Sequence, residues 1–97
     1  MPRFSEQAEE ELAEAMSWYE RRKEGLGGQL LREVRETIRR IGLFPQAWPK
    51  GTRNTRYCRT KKFPYKVVYR VEGDLLVIIA VVHESRQPDY WVDRDEV

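Results

Sequence analysis

A chain of 97 residues makes one domain, residues 1–97, with room for a single modest core, and a net charge of +2 sets no strong overall bias toward an acidic or basic partner. No apolar run reaches the roughly 18 residues that a membrane span needs, and the N-terminus has no apolar signal stretch, so a cytoplasmic protein without membrane contact is expected. The lone Cys58 excludes an internal disulfide, no Cys/His cluster has metal-ligand spacing, and neither a metal nor a cofactor is expected.

In chain order, Arg3-Phe4 offers at most a stub of strand. Ser5 suits an N-cap, with Glu6 in the first turn where the helix dipole favours an acid. Ala8, Leu12, Ala15, Met16 and Tyr19 then recur at helical spacing, with Glu9, Glu10, Glu14 and Arg21 opposite. Gly25 fits the stop. After Leu26-Gly27-Gly28 a second helix is predicted from about Gln29 to Ile41, with Leu30, Leu31, Val34, Ile38 and Ile41 as its apolar stripe. Glu36 stands at i,i+4 spacing from Arg32 and from Arg40, two ion pairs expected on the wet face. The connection is short, so the helices are antiparallel neighbours whose stripes share one face.

Leu43 to Asn54 carries two prolines and a glycine and reads as a loop, anchored by Phe44 and Trp48. Thr55 to Lys62 is a polar edge strand, with Tyr57, Arg59 and Lys61 on one face and Arg56, Cys58, Thr60 and Lys62 on the other. Tyr65 to Val71 alternates as a half-buried strand, and Glu72-Gly73-Asp74 forms the turn. Leu75 to Val82 is apolar throughout, as in a central strand covered on both faces. The fold class is therefore α+β: an N-terminal antiparallel helix hairpin on an antiparallel sheet of three or four strands. Tyr90 and Trp91 in the tail are expected to fold back onto that sheet.

The charge is unevenly spread. Between Lys50 and Arg70 lie eight basic residues and no acid, whereas the first 49 residues hold nine acids and eight bases. Such a block points to an anionic partner. Arg53, Arg56, Arg59, Lys61, Lys62 and Arg70 are the candidate binding residues, because guanidinium forks suit carboxylates and phosphates. Trp91 is the candidate aromatic anchor.

Several segments, in order, are similar to the RelE/ParE toxin superfamily. They are WYERR (Trp18 to Arg22), GLGGQLLREV (Gly25 to Val34), FPQAWP (Phe44 to Pro49), FPYKVVYRV (Phe63 to Val71) and VVHESRQPDYW (Val81 to Trp91). The resemblance runs from about Ser5 to Trp91 and is specific for the ParE-like branch. It implies the toxin half of a type II toxin–antitoxin (plasmid stabilisation) pair, held harmless by a cognate antitoxin. The antitoxin would dock on the Thr55 to Lys62 edge or on the seam over the helices.

The superfamily contains ribosome-dependent mRNA endonucleases and inhibitors of DNA gyrase. RNA cleavage needs an acid/base and a cation for the phosphorane charge. His83, with Arg86 for the phosphate and Tyr90 to stack on a base, would be the catalytic set; Arg59 or Lys61 could take the role of Arg86. Glu84, however, stands near a place where RNA-cutting relatives often carry a base, and an acid there repels a scissile phosphate. The resemblance therefore implies the gyrase-binding activity, which needs no catalytic group. The alternatives are the endonuclease and an inactive member that binds only its antitoxin.

Overall fold

The computed structural model describes residues 2–85. Six elements follow one another: β1 (Arg3–Phe4), α1 (Glu6–Arg22), α2 (Leu26–Leu43), β2 (Arg56–Arg59), β3 (Tyr65–Glu72) and β4 (Leu75–His83). The strands form one sheet in the order β1-β4-β3-β2. The helix hairpin lies on one of its faces, as expected from the stripes.

The sheet is mixed where a purely antiparallel one was expected, because the Arg3-Phe4 stub runs parallel to β4, opposite Val77 and Ile78. Its placement is fixed by the residue that follows. Ser5 donates its backbone N–H to the Ile78 carbonyl at 2.9 Å and its hydroxyl to the Ile79 carbonyl at 3.1 Å. The same oxygen accepts from the Ala8 N–H at 3.1 Å, so Ser5 ends the strand and caps α1. Two consecutive β4 carbonyls can turn toward Ser5 because the β3–β4 register shifts here. Val68 opposes Ala80 but Tyr69 opposes Ile78, which leaves Ile79 as the extra residue of a bulge.

Beyond β1 no strand among the described residues covers the edge of β4, and a carboxylate takes over: the Val81 N–H donates to Glu11 Oε1 at 3.1 Å. Val81 is buried. Glu11→Ala should therefore cost about 1–3 kcal/mol in a urea melt, the penalty for a buried donor left without an acceptor. Glu11→Gln, which keeps an amide oxygen there, should cost less.

The turn between the helices is tighter than expected. Gly25 takes a left-handed φ of 91°, and α2 begins at Leu26, ahead of Gln29. No side chain of the turn caps α2. Glu20 of α1 does so instead, accepting from the Gly25 N–H and the Gly27 N–H at 2.9 Å each. A carboxylate at a helix N-terminus is favoured by the dipole as well as by these bonds. Gly27 is where the helices meet, for a Cβ there would stand 2.6 Å from the Met16 carbonyl oxygen.

The core on the helix side joins Ala8, Ala15, Leu30, Val34, Ile38 and Ile41 to Cys58, Tyr65, Val67, Tyr69, Ile78 and Val81. On the other face Val68, Val77, Ile79, Ala80 and Val82 are buried too, with Tyr57 and Leu75 against them. Both faces of β4 are thus covered, as its uninterrupted apolar run implies. Burial pushes the Cys58 thiol up, against a smaller opposing pull from Arg40, so this sulfur is a core atom and a poor nucleophile.

Burial likewise raises the Tyr65 and Tyr69 phenols to about 12. A proton held more tightly in the fold than in the unfolded chain stabilises the fold fully below the unfolded value, about 10. That contribution is lost as pH climbs toward 12. An alkaline absorbance titration should show these two phenolates appearing only near pH 12, together with loss of the fold.

Candidate anion-binding site

The loop after α2 is shaped by its own hydrogen bonds. Gly51 N–H donates to the Thr55 carbonyl at 2.9 Å, and Thr55 donates from N and Oγ1 to the Thr52 carbonyl at 3.2 and 2.7 Å. Arg53 sits at the tip with a φ of 56°. A bridge pairs Lys50 with Arg56, and Tyr57 N–H reaches the Pro49 carbonyl at 3.1 Å. These bonds fold the loop back beside the start of β2.

Two side chains from the sheet then hold the loop down. Tyr69, fully buried, donates its hydroxyl to the Pro45 carbonyl at 2.6 Å. Arg56 donates to the Trp48 carbonyl at 2.7 Å and to Gln46 Oε1 at 3.0 Å. Burial is the larger influence on the Tyr69 phenol and outweighs the opposing charge of Arg56, so the hydroxyl remains a donor.

Between loop and sheet lies a cavity of about 270 Å³, bordered by Lys50, Arg53, Arg56 and Arg70 together with Gln46, Asn54, Thr55, Tyr69 and Val71. Four basic side chains border it and no carboxylate does, among the described residues. Arg70 is held in place from outside, its guanidinium 2.8 Å from Glu72, which does not border the cavity. Clustered guanidinium and ammonium groups suit a phosphate or a carboxylate.

Three of the expected binding residues, Arg53, Arg56 and Arg70, therefore meet in one place. Lys50 belongs with them; it was visible in the basic run, but only the loop's return brings it alongside. Arg59, Lys61 and Lys62 do not join this group. Antiparallel pairing sets Arg56 opposite Tyr69 but Arg59 opposite Lys66, so the basic run is divided between the two ends of β3. Arg59 forms a 2.6 Å ion pair with Glu84. Lys61 and Lys62 lie exposed in the following turn, where the Lys62 N–H donates to Glu33 Oε1 at 3.2 Å.

His83 stands opposite Tyr65, its ring edge-to-face with the phenol at 5.2 Å. Its Nδ1 accepts from the Ser85 N–H at 3.0 Å and lies 2.8 Å from the Ser85 hydroxyl, so the neutral ring carries its proton on Nε2. Tyr65 is four residues from Tyr69 along β3, which separates His83 from the basic cavity by about 13 Å. Arg86, Tyr90 and Trp91 lie outside the described residues.

The helical ion pairs also differ from expectation. Glu36 pairs with Arg39 at 2.6 Å. Arg40 turns inward, donating to Thr37 Oγ1 and the Arg59 carbonyl and lying over Trp48 at 5.7 Å. A long side chain at the helix–sheet boundary gains more from buried acceptors than from an exposed carboxylate. Among the described residues, no three His, Cys, Asp or Glu side chains come together as a metal site, and no helix is long and apolar enough to cross a membrane.

Comparison with known proteins agrees with this fold. The family described as ParE toxin of type II toxin-antitoxin system, parDE, matches residues 3–88. A solved structure described as "Chromosomal ParDE TA system from P. aeruginosa" superposes with a TM-score of 0.62 at 15% identity, covering 84% of this chain and 91% of that one. No curated protein matches.

Proposed function

This chain belongs to the ParE toxin family of type II toxin–antitoxin systems, and from that premise we propose that it acts in the cytoplasm by binding DNA gyrase through the basic cavity. A cognate antitoxin would hold it inactive. The observation that carries this reading is the meeting of Lys50, Arg53, Arg56 and Arg70 around one cavity. Such a surface binds by charge and by forked hydrogen bonds and needs no proton transfer.

Among the described residues, the arrangement around His83 supports a binding role over RNA cleavage. A general base must reach the proton it removes, with a cation at the same phosphate. The nearest element of the basic run with a guanidinium, Arg59, is engaged by Glu84. The Arg56 and Arg70 group is about 13 Å along the strand, too far to share one phosphate with the imidazole.

Inducing the protein in cells and following DNA and transcripts tests the proposal. An SOS response with linearised chromosomes, unchanged in His83→Ala, is the expected outcome. Cut transcripts with intact chromosomes, abolished by His83→Ala, would contradict it.

A further inference from the structure

A second cavity, of about 340 Å³, opens between α1 and the end of β4, bordered by Glu11, Glu14, Trp18, Tyr19, Tyr65 and His83. We propose that it is a binding site for a guanidinium group, the side chain of an arginine. Its chemistry is the reverse of the basic cavity's. Glu11 and Glu14 are three residues apart on α1 and so share one side of the helix. No lysine or arginine borders the cavity among the described residues.

Four aromatic rings border it as well, and they are held in fixed geometry. Trp18 and Tyr19 meet edge-to-face at 4.9 Å, Tyr19 and Tyr65 at 6.2 Å, and Tyr65 and His83 at 5.2 Å. Ring faces beside carboxylates are the recognised environment for a cation. Trp18 is 45% exposed, high for the largest apolar side chain, and it already receives one guanidinium: Arg22, which does not border the cavity, stacks 4.0 Å from the ring centroid. The chain thus shows on itself what this indole accepts.

A planar guanidinium fits better than an ammonium, because its fork matches a carboxylate while its flat face lies on a ring. A metal ion fits less well. One oxygen of Glu11 is already taken by the Val81 N–H, and four of the bordering residues are aromatic. The volume lies at the small end of ligand sites, enough for one side chain and not for a large cofactor. The inference does not depend on gyrase, since it uses none of the residues of the basic cavity.

The test is calorimetric titration of the purified full-length protein with Nα-acetyl-arginine amide and, in parallel, with Nα-acetyl-citrulline amide, which keeps the shape but lacks the charge. Saturable binding of the arginine compound, about tenfold tighter than citrulline, is expected. Glu14→Gln and Trp18→Ala, both at exposed positions, should each weaken it about fivefold, whereas Lys50→Glu should leave it unchanged. A blocked Gly-Gly-Arg-Gly-Gly peptide and free arginine distinguish the source of the group: tighter binding of the peptide marks a polypeptide ligand, tighter binding of free arginine a small molecule. Equal binding of the arginine and citrulline compounds, no binding of either, or no effect of Glu14→Gln and Trp18→Ala would overturn the proposal.

Discussion

Replacing Gly27 with alanine should lower the thermal midpoint by about 5–15 °C, the equivalent of about 1–3 kcal/mol of overpacking in a domain of this size. Two effects compete. Alanine inside a helix is favoured over glycine by about 1 kcal/mol. Against that, the new Cβ would stand 2.6 Å from the Met16 carbonyl oxygen and 3.0 Å from Glu20 Oε1. The first of these is backbone and cannot rotate away, so α1 and α2 must separate. Separation also stretches the two bonds from Glu20 that cap α2. The clash and the lost cap together outweigh the propensity gain.

The neighbouring glycine supplies the control. At Gly28 the nearest atom to a new Cβ is the end of the flexible Arg32 side chain, 3.7 Å away. Gly28→Ala should therefore raise the midpoint, by up to about 1 kcal/mol of added helix propensity. Opposite signs at adjacent glycines would show that close approach of the helices sets the first effect. Equal shifts at both positions would contradict it.

The second large effect is functional. The double variant Lys50→Glu/Arg53→Glu should lose toxicity in induced cells, with target affinity reduced on the order of a hundredfold, since like charges across an interface cost several kcal/mol. These two positions are exposed and leave untouched the bonds by which Arg56 and Tyr69 hold the loop. A matching circular dichroism melt would show that the fold is intact. Arg56→Ala is a less clean probe, because it removes two hydrogen bonds to the loop along with the charge.

The helices and the β3–β4 hairpin were legible in the sequence because each is written as a local period. The Ser5 cap was legible for the same reason, its partner Ala8 being only three residues away. What was not legible depends on distant partners. Two residues are too few to carry a strand pattern, and β1 exists because Ser5 finds the bulged carbonyls of Ile78 and Ile79. Glu20 and Glu11 look like solvated helix acids until the chain returns beside them to present the Gly27 and Val81 N–H groups.

The candidate site was legible in part. The basic run named the right neighbourhood, and alternation already put Arg56 and Arg59 on opposite faces of their strand. Grouping both into one surface ignored that alternation, and β2 indeed sends Arg56 to the loop and Arg59 to Glu84. Lys50 could be recovered only from the fold of the 44–55 loop. Tyr69 belongs to the alternating strand and is fully buried, yet its hydroxyl is also what fixes the cavity wall.

The most direct measurement is supercoiling of relaxed plasmid by purified DNA gyrase, with the purified toxin and its Lys50→Glu/Arg53→Glu and His83→Ala variants titrated in. Wild type and His83→Ala should inhibit at the same concentration, and the charge-reversed variant should require on the order of a hundredfold more. Inhibition lost in His83→Ala and kept in the charge-reversed protein, or no inhibition by wild type at all, would contradict gyrase binding through the basic cavity.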